Sequence, residues 1–361
     1  MRPHDRHFGV ASQSLGRHAR VLLVRTDHLG DMLLTLPMAQ VLRAAQPEWR
    51  VSVLASPANR EAAEHHPDVS EVLVDIEAKH SGLRQLRALA RDLAGRFDAA
   101  ILVHPTPRLA LALWLAHIPL RIGTAYRAYS FLLNRRVRQH RRGRAIHESL
   151  LNLELLSAVG IAPPQAVPPL RWQMRDHEVE RVEALLRQHG LSGESWAVIH
   201  PGSAGSALNW DASAYAAFGQ RIAKAGHRVV VTGTMREQAL AARVCSGIGS
   251  AAVNLCGALS LGELAVALQR CSLFIGGSTG PTHLAALLGA PTVALYSPLR
   301  SQRPERWQPL GPRVLTLLPD VGQQCPRCLG ARCPYFLCMT QRLSVDTVWQ
   351  AAQQLLRASC S

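Results

Sequence analysis

The hydrophobic pattern of the 361-residue chain alternates between short, unbroken apolar runs and longer stretches with helical spacing. Apolar runs of this length indicate strands buried on both faces, as in parallel sheets. In the first half, the predicted strands are 20–25, 50–55, 71–75, 98–104 and 121–123, and the helices lie near 32–45 (interrupted at Pro37), 82–95, 109–120 and 145–159. Strands that alternate with helices indicate βαβ units, so we predict an α/β fold.

A proline-rich segment divides the chain. Residues 160–169 contain four prolines, which make a stiff and extended linker. The alternation then resumes, with predicted strands 196–200, 227–232, 253–255, 272–276 and 292–296, and helices near 176–189, 213–225, 237–247, 261–269, 281–288 and 345–357. We predict a disordered basic extension at 1–19, domains at 20–165 and 170–343, and a terminal helix within 344–361. Two such halves form a cleft, and clefts between domains bind ligands.

The charge of the chain points to an anionic partner. The formal net charge is +15, and 38 of the 40 basic residues are arginines, whose planar side chains suit phosphate and carboxylate. An acidic membrane surface, a phosphorylated ligand or nucleic acid would fit, and so would an arginine-biased composition with a solvated surface. No helix-turn-helix, zinc-finger or RNA-binding signature is present, so we expect no specific nucleic-acid partner.

The densest basic run is 135–144. It is either a solvated loop or an arm that holds acidic acceptor groups through Arg135, Arg136 and Arg138. The chain shows no secretory signal and no uncharged apolar run of about 18 residues. We therefore expect a cytoplasmic protein in peripheral contact with the acidic surface of the inner membrane.

Candidate chemistry lies at the predicted carboxyl ends of strands, where open α/β sheets bind ligands. The strongest candidate follows strand 272–276: Ser278 or Thr279 can cap the next helix, and Pro281 fits its first turn. Free amides and the positive end of the helix dipole make this turn a phosphate site. His283 could add a donor there, or could only satisfy the buried helix end.

A carboxylate follows the first strand of the first half. Asp31, in the Gly30-Asp31 pair, would face the cleft from the opposite wall and would suit a general base, unless it only caps a helix. Asp27 is a competing carboxylate that we interpret as a turn former. Two weaker glycine- and hydroxyl-rich turns, 200–206 and 232–237, follow strands of the second half.

Four segments carry a family resemblance: RTDHLGDMLLTLP at 25–37, HPGS at 200–203, GALSLGEL at 257–264 and GGSTGPTHLAALLGAPTVALYSP at 276–298. In this order and spacing they resemble glycosyltransferase family 9, which contains the ADP-heptose:lipopolysaccharide heptosyltransferases. The resemblance covers nearly the whole chain beyond residue 19. It is far more specific than any one of the four segments.

The resemblance implies a GT-B fold, in which two Rossmann-like domains face each other across a cleft. The first domain would bind the acceptor, a lipopolysaccharide core or related glycan, and the second a nucleotide-diphosphate sugar, with ADP-heptose favoured. Transfer would invert the anomeric configuration without a bound metal or resident cofactor. The terminal helix would pack back on the first domain.

The resemblance also implies roles for individual residues. Asp31 would be the general base, and Ser278, Thr279 and Gly280, with His283 close by, would bind the diphosphate. The nucleotide would also touch Ser203, Gly233, Glu237 and Gly257.

Two positions depart from the family pattern. Leu208 stands where a lysine often contacts the donor phosphate, and Ser278 stands where an aspartate is frequent. These departures leave open a different nucleotide-sugar or a weakened enzyme that binds a glycolipid or partner. A nucleotide-sugar epimerase of the same architecture is another alternative. A nicotinamide-dependent oxidoreductase is disfavoured, because G-x-G-x-x-G follows neither first strand.

A cysteine cluster ends the second half. Cys325, Cys328, Cys333 and Cys338 could hold a tetrahedral zinc ion. The second pair has a long spacing, and transfer does not require such a site. We therefore favour a reduced or disulfide-linked loop over zinc.

Overall fold

Two parallel six-stranded sheets organise the chain. The computed structural model describes residues 15–76, 82–139, 145–203, 205, 207–322, 325–335 and 337–358. The strands of the first sheet are β1 (Arg20–Val24), β2 (Arg50–Ala55), β3 (Glu71–Val74), β4 (Ala99–Leu102), β5 (Leu120–Thr124) and β6 (Arg135–Val137). Those of the second are β7 (Trp196–His200), β8 (Arg228–Val231), β9 (Ala252–Asn254), β10 (Leu273–Gly277), β11 (Thr292–Leu295) and β12 (Val314–Leu317).

Both sheets have the same strand order. The first runs β3-β2-β1-β4-β5-β6, and the second, read from its opposite edge, runs β9-β8-β7-β10-β11-β12. This is the doubly wound dinucleotide-binding order, in which the crevice for a ligand opens beyond the first and fourth strands. The predicted α/β class and two-sheet architecture are confirmed.

Helices cover both faces of each sheet. Those of the first half are α1 (Leu29–Leu33), α2 (Pro37–Ala45), α3 (Arg60–Glu64), α4 (Leu83–Leu93), α5 (Pro107–Leu115) and α6 (Glu148–Glu154). Those of the second half are α7 (Asp176–Gln188), α8 (Ala212–Lys224), α9 (Gln238–Ile248), α10 (Leu261–Arg270), α11 (Gly280–Leu287), α12 (Pro304–Trp307), α13 (Cys338–Gln341) and α14 (Val345–Ala358). None of the helices in the described ranges is long and apolar enough to span a bilayer.

The core is shared between the halves. In β1, Val21 and Leu23 point into one hydrophobic cluster and Leu22 and Val24 into another, as the alternation of strand side chains requires. The first of these clusters also contains Val198 of β7 and residues of α10 and α11. Because apolar contacts cross from one sheet to the other, the carboxyl ends of the two sheets are held close together.

Two sequence expectations about the termini need correction. The terminal helix α14 packs on α8, β10 and β11, and Val348, Ala352 and Leu355 lie in the second-half cluster. It therefore belongs to the second half rather than packing back on the first. The predicted disordered extension is also too long: Ala19 is buried, and the Gly16 carbonyl accepts a hydrogen bond from Trp49. Residues 1–14 lie outside the described part of the chain.

Candidate functional site

A buried arginine organises the turn after β1. The Arg25 guanidinium donates to Asp27 through Nε, at 2.7 Å, and to Asp31 through Nη2. The side chain of Arg25 is almost completely buried, and those of Asp27 and Asp31 are mostly buried. Asn59, which precedes α3, donates to the main-chain carbonyl of Asp27 at 3.4 Å. These contacts fix the turn, so that Asp31 stands in the first turn of α1 with one edge toward solvent.

The pKa of Asp31 is well above that of an ordinary aspartate. Burial raises the pKa of this carboxyl from 3.8 to about 6, and Arg25 opposes the shift. The negative charges of Asp27 and Glu148 raise the pKa further. A carboxylate with a pKa of about 6 is largely ionised at neutral pH and is a stronger base than an exposed aspartate, which suits a general base.

Glu148 connects this cluster to the other half of the molecule. Its carboxylate is buried at the start of α6, lies 3.6 Å from Arg25 Nη1, and accepts hydrogen bonds from Arg306 Nε and Nη2 at 3.0 and 2.9 Å. Arg306 belongs to α12, in the second half. Next to it, His147 Nε2 contacts the main-chain carbonyl of Gln308 at 2.9 Å. These polar contacts join the two halves close to Arg25 and Asp31. They add to the apolar contacts between the two halves, which are called the apolar seam below.

The first turns of α1 and α11 approach each other through two glycines. A methyl group on Gly30 would lie 3.0 Å from His283 Cδ2, and one on Gly280 would lie 2.6 Å from Leu29 Cγ. Only residues without a side chain allow this approach. The turn that carries Asp31 and the turn predicted to bind phosphate therefore face each other directly.

The turn after β10 has the features of an anion site. Helix α11 begins at Gly280, follows Thr279 and has proline in its first turn, and its first amides have no partner within the helix. Ser278, Thr279 and Gly280 are half-buried. The Ser278 hydroxyl contacts the Tyr296 hydroxyl, and Thr282 Oγ1 donates to the Gly277 carbonyl at 2.5 Å. The predicted side-chain cap is absent, since neither Ser278 nor Thr279 bonds a main-chain amide of the turn in the described structure.

His283 is buried beneath this turn. Burial lowers the pKa of its imidazole to about 3, and His147 lowers it further. Its Nδ1 is buried and has no hydrogen-bond partner among the described residues. His283 is therefore neutral at physiological pH and could give a ligand a hydrogen bond but no positive charge.

The remaining residues predicted to bind the nucleotide-sugar lie close together, beyond the carboxyl ends of β7 and β8. Glu237 accepts hydrogen bonds from the Thr234 amide and hydroxyl at 2.8 and 3.0 Å, and a methyl group on Gly202, beside Ser203, would overlap its carboxylate. The Gly257 amide donates to the Gly233 carbonyl at 2.8 Å. Ser203, Gly233, Glu237 and Gly257 therefore line the same end of the second sheet. Ala204 and Ser206 of the same loop lie outside the described residues.

Leu208, the position where a lysine was expected, packs partly buried against the second-half cluster. It supplies no cation to the phosphate turn. Nearby, Asn209 donates to the Pro201 carbonyl at 3.0 Å and accepts from Tyr215 at 2.7 Å. A methyl group on Gly277 would lie 2.9 Å from this amide, so the loop is fixed against the end of β10.

The predicted acceptor arginines begin on a strand rather than in a loop. Arg135 and Arg136 lie in β6, the edge of the first sheet, and Arg138 follows it. Arg136 and Arg138 are exposed and separated by one residue, so they share a face. Residues 140–144 of the basic run lie outside the described residues.

The four clustered cysteines line one cavity of about 190 Å³. None of them forms a disulfide in the described structure. Burial raises the pKa values of Cys325 and Cys338, and the neighbouring thiols of the cluster raise both further. The thiols are thus close enough to influence one another, and zinc binding by them remains a hypothesis.

Sequence reasoning missed the roles of four residues of the site. Arg25 stood inside a quoted motif but received no role, although an arginine directly after an apolar strand signals a buried ion pair. Glu148 and Arg306 lie 158 residues apart, and nothing local links them. His200 ends β7 and contacts the Thr232 hydroxyl at 3.0 Å, and burial lowers its pKa to about 4.

The sequence profile of glycosyltransferase family 9 (heptosyltransferase) matches residues 86–336. The chain belongs to glycosyltransferase family 9. It is therefore a glycosyltransferase, as the motifs predicted. The profile match starts after the Asp31 turn, so the role of that residue rests on its geometry and on the motif.

Relatives of this glycosyltransferase extend over most of its length. It is 25% identical to lipopolysaccharide heptosyltransferase 2 of Salmonella typhimurium, over 77% of this chain and 83% of the relative. A family 9 glycosyltransferase of Veillonella parvula shares the fold with a TM-score of 0.80 and 23% identity, over 94% and 98% of the two chains. E. coli ADP-heptose lipopolysaccharide heptosyltransferase II gives a TM-score of 0.74 and 21% identity, over 95% and 100%. These structures confirm the predicted GT-B fold.

Proposed function

We propose that this glycosyltransferase moves a heptose from ADP-heptose to a lipopolysaccharide core, with inversion at the anomeric carbon and without a catalytic metal. The observation that carries the proposal is the facing pair of turns, with the Asp31 carboxylate on α1 and the amide-lined start of α11 opposite it. The names of the Salmonella and E. coli relatives support the choice of sugar and acceptor.

In the proposed reaction, Asp31 accepts the proton of an acceptor hydroxyl. The hydroxyl oxygen attacks the anomeric carbon from the face opposite the diphosphate, and the bond to the diphosphate oxygen breaks. The first amides of α11 and its helix dipole stabilise the negative charge that develops on the leaving group. Arg25 holds Asp31 in place and keeps a useful fraction of it ionised.

The acceptor would approach over the first half. Arg136 and Arg138 present a positive face at the sheet edge, and Phe131, just before it, is 75% exposed. A bulky apolar side chain beside arginines suits a lipid-linked, phosphorylated acceptor at an acidic membrane surface. We include peripheral membrane contact in the proposal on this basis.

The test is a transfer assay with purified protein, ADP-heptose and a heptose-deficient lipopolysaccharide. We expect ADP release that requires the acceptor, a product one heptose heavier, an inverted linkage by NMR, and no increase in rate when a divalent metal ion is added. Omitting the acceptor tests for an epimerase, which would change the sugar without it. Binding of ADP without transfer to any acceptor would contradict the proposal and favour a binding protein.

A further inference from the structure

Away from the facing turns, two carboxylates and a histidine meet at the seam between the halves. Glu61 lies in α3, and His65 follows that helix, whereas Glu178 lies in α7 of the second half. His65 Nε2 is 3.1 Å from Glu178 Oε1 and 4.0 Å from Glu61 Oε1. The ligand atoms all lie within 4.8 Å of one another.

The tautomer of His65 is set by the segment that follows the proline-rich linker. Its Nδ1 lies 2.7 Å from the Gln173 carbonyl oxygen, which can only accept, so Nδ1 carries a proton. Trp172 stacks on the same imidazole, with ring centroids 4.6 Å apart and planes within 7°. The ring is therefore fixed, and its Nε2 lies beside the two carboxylates. Metal-binding histidines are oriented in this way, through a hydrogen bond from the other nitrogen.

His65 Nε2 itself has no hydrogen-bond partner among the described residues, although its side chain is completely buried. Glu178 Oε1 is near enough, but it lies too far off the direction of a ring N–H to accept a hydrogen bond. In a metal site the oxygen must lie off that direction, because the metal occupies it. Tetrahedral bonds of about 2.1 Å place neighbouring ligand atoms roughly 3.4 Å apart. The measured 3.1 and 4.0 Å bracket this spacing.

We propose that Glu61, His65 and Glu178 bind one divalent transition-metal ion, which fastens the two halves of the molecule together. One imidazole and two carboxylates suit Zn²⁺ and first-row ions of similar size. Each carboxylate has an anchor: Glu178 accepts from the Arg175 amide at 3.2 Å, and Glu61 accepts from the Gly262 amide at 2.8 Å. Gly262 lies in the first turn of α10 and allows this helix to pack closely against His65. A methyl group on Gly262 would lie 2.7 Å from His65 Nε2.

The ion would act as a structural clamp. Asn59 at the start of α3 bonds the turn that contains Asp27, and His65 at the other end would bind the ion. Fixing α3 to α7 would therefore hold the turn that contains Asp27 and Asp31 in a constant position relative to the second half. This role does not depend on the proposed transfer reaction.

Cobalt(II) is a suitable probe, because its spectrum distinguishes this site from the cysteine cluster. Thiolate ligands give cobalt an intense near-ultraviolet charge-transfer band, and carboxylate and imidazole ligands do not. The full-length protein is stripped with chelator and titrated with Co²⁺. We expect one ion per chain with weak visible bands and no thiolate band, together with a raised Tm.

Two variants test the assignment. Glu178→Gln keeps the helix cap, and His65→Gln removes the imidazole, and each should weaken Co²⁺ binding by at least about tenfold. Glu64→Gln changes a carboxylate of α3 that pairs with Arg60 instead of His65; it is the matched control and should bind like the unmodified protein. Cys328→Ser should also leave this binding intact. Circular dichroism checks that each variant is folded. The proposal would be overturned if Co²⁺ gave only the thiolate charge-transfer band, or if Glu178→Gln bound Co²⁺ as tightly as the unmodified protein.

Discussion

The carboxylate of Asp31 contacts a buried arginine, yet it holds its proton more tightly than an ordinary aspartate. Burial outweighs the attraction of Arg25, and two further carboxylates act in the same direction as burial. The surroundings of Asp31 therefore raise its pKa and make it a stronger base than an exposed aspartate. Removing the carboxylate should affect the chemical step more than the binding of nucleotide.

We expect Asp31→Asn to lower kcat by about 10²–10⁴-fold, the usual contribution of a general base. Binding of ADP should be unchanged, because the donor turn lies on the other half. Asp98→Asn, which alters a surface pair with Arg20, is the matched control. Steady-state transfer assays and calorimetry measure both quantities, and full activity of Asp31→Asn would exclude the residue as the base.

The pH profile should show the same group. Because the pKa of Asp31 is raised to about 6, the carboxylate becomes protonated as pH falls through that value and can no longer accept a proton. We expect kcat/KM to be level above about pH 7 and to fall below pH 6, about tenfold per unit. His200 and His283 remain neutral over this range, with pKa values of about 4 and 3. A flat profile down to pH 5, with the protein still folded, would contradict this role.

At the scale of elements, the sequence predicted the interior strands and two of the four edge strands, β3 and β9, and it missed the edge strands β6 and β12. The central strands β1, β4, β7 and β10 are apolar on both faces, and this pattern is visible without a structure. Strand β6 has three residues, RRV, and opens the basic run, so its pattern resembles that of a loop, whereas the apolar sequence VLTL of β12 does carry a strand pattern that could have been recognised. Helix α3, with five residues, is too short to show a period.

The candidate site also has parts that the sequence predicts and parts that it does not. The turns after β1 and β10 could be found because a strand, a glycine and a helix start follow one another in the chain. Glu148, Arg306 and the group at His65 depend on contacts between distant segments, and a single sequence does not reveal such contacts. Glu61 and His65 are four residues apart in the sequence, and both are residue types that bind metals. Nothing in the sequence indicated that Glu178 would lie beside them.

The close approach of α1 and α11 gives a prediction at this scale. In Gly280→Ala, the new methyl group would meet Leu29 and push the two helix starts apart. Alanine is otherwise a good first-turn residue, so α11 itself should persist. We expect kcat to fall while the far-ultraviolet circular dichroism stays the same. Gly16→Ala, at a position with open space around it, is the control, and equal kcat in the two variants would contradict the predicted separation.

At the scale of the whole molecule, the two halves are joined by an apolar seam and by a small number of buried polar contacts. One of them, between Glu148 and Arg306, is linked to Asp31 through Arg25, which contacts both carboxylates, and the Glu148 carboxylate is 1% exposed. Without Arg306, this buried charge would lose two hydrogen bonds and would depend more on Arg25, 3.6 Å away, which also pairs with Asp27 and Asp31. The pair therefore links the stability of the seam to the electrostatics of the site.

We expect Arg306→Gln to destabilise the protein by about 1–3 kcal/mol, since the hydrogen bonds it removes go to a charged, buried acceptor. The Arg306 side chain is 30% exposed, which keeps the effect below that of a fully buried pair. Thermal unfolding should show a lower Tm, by roughly 2–4 °C per kcal/mol. Arg300→Gln changes an exposed arginine of the same half and should leave the Tm unchanged. If the two variants unfold at the same temperature, the polar contact adds nothing to the seam, and apolar packing alone holds the two turns face to face.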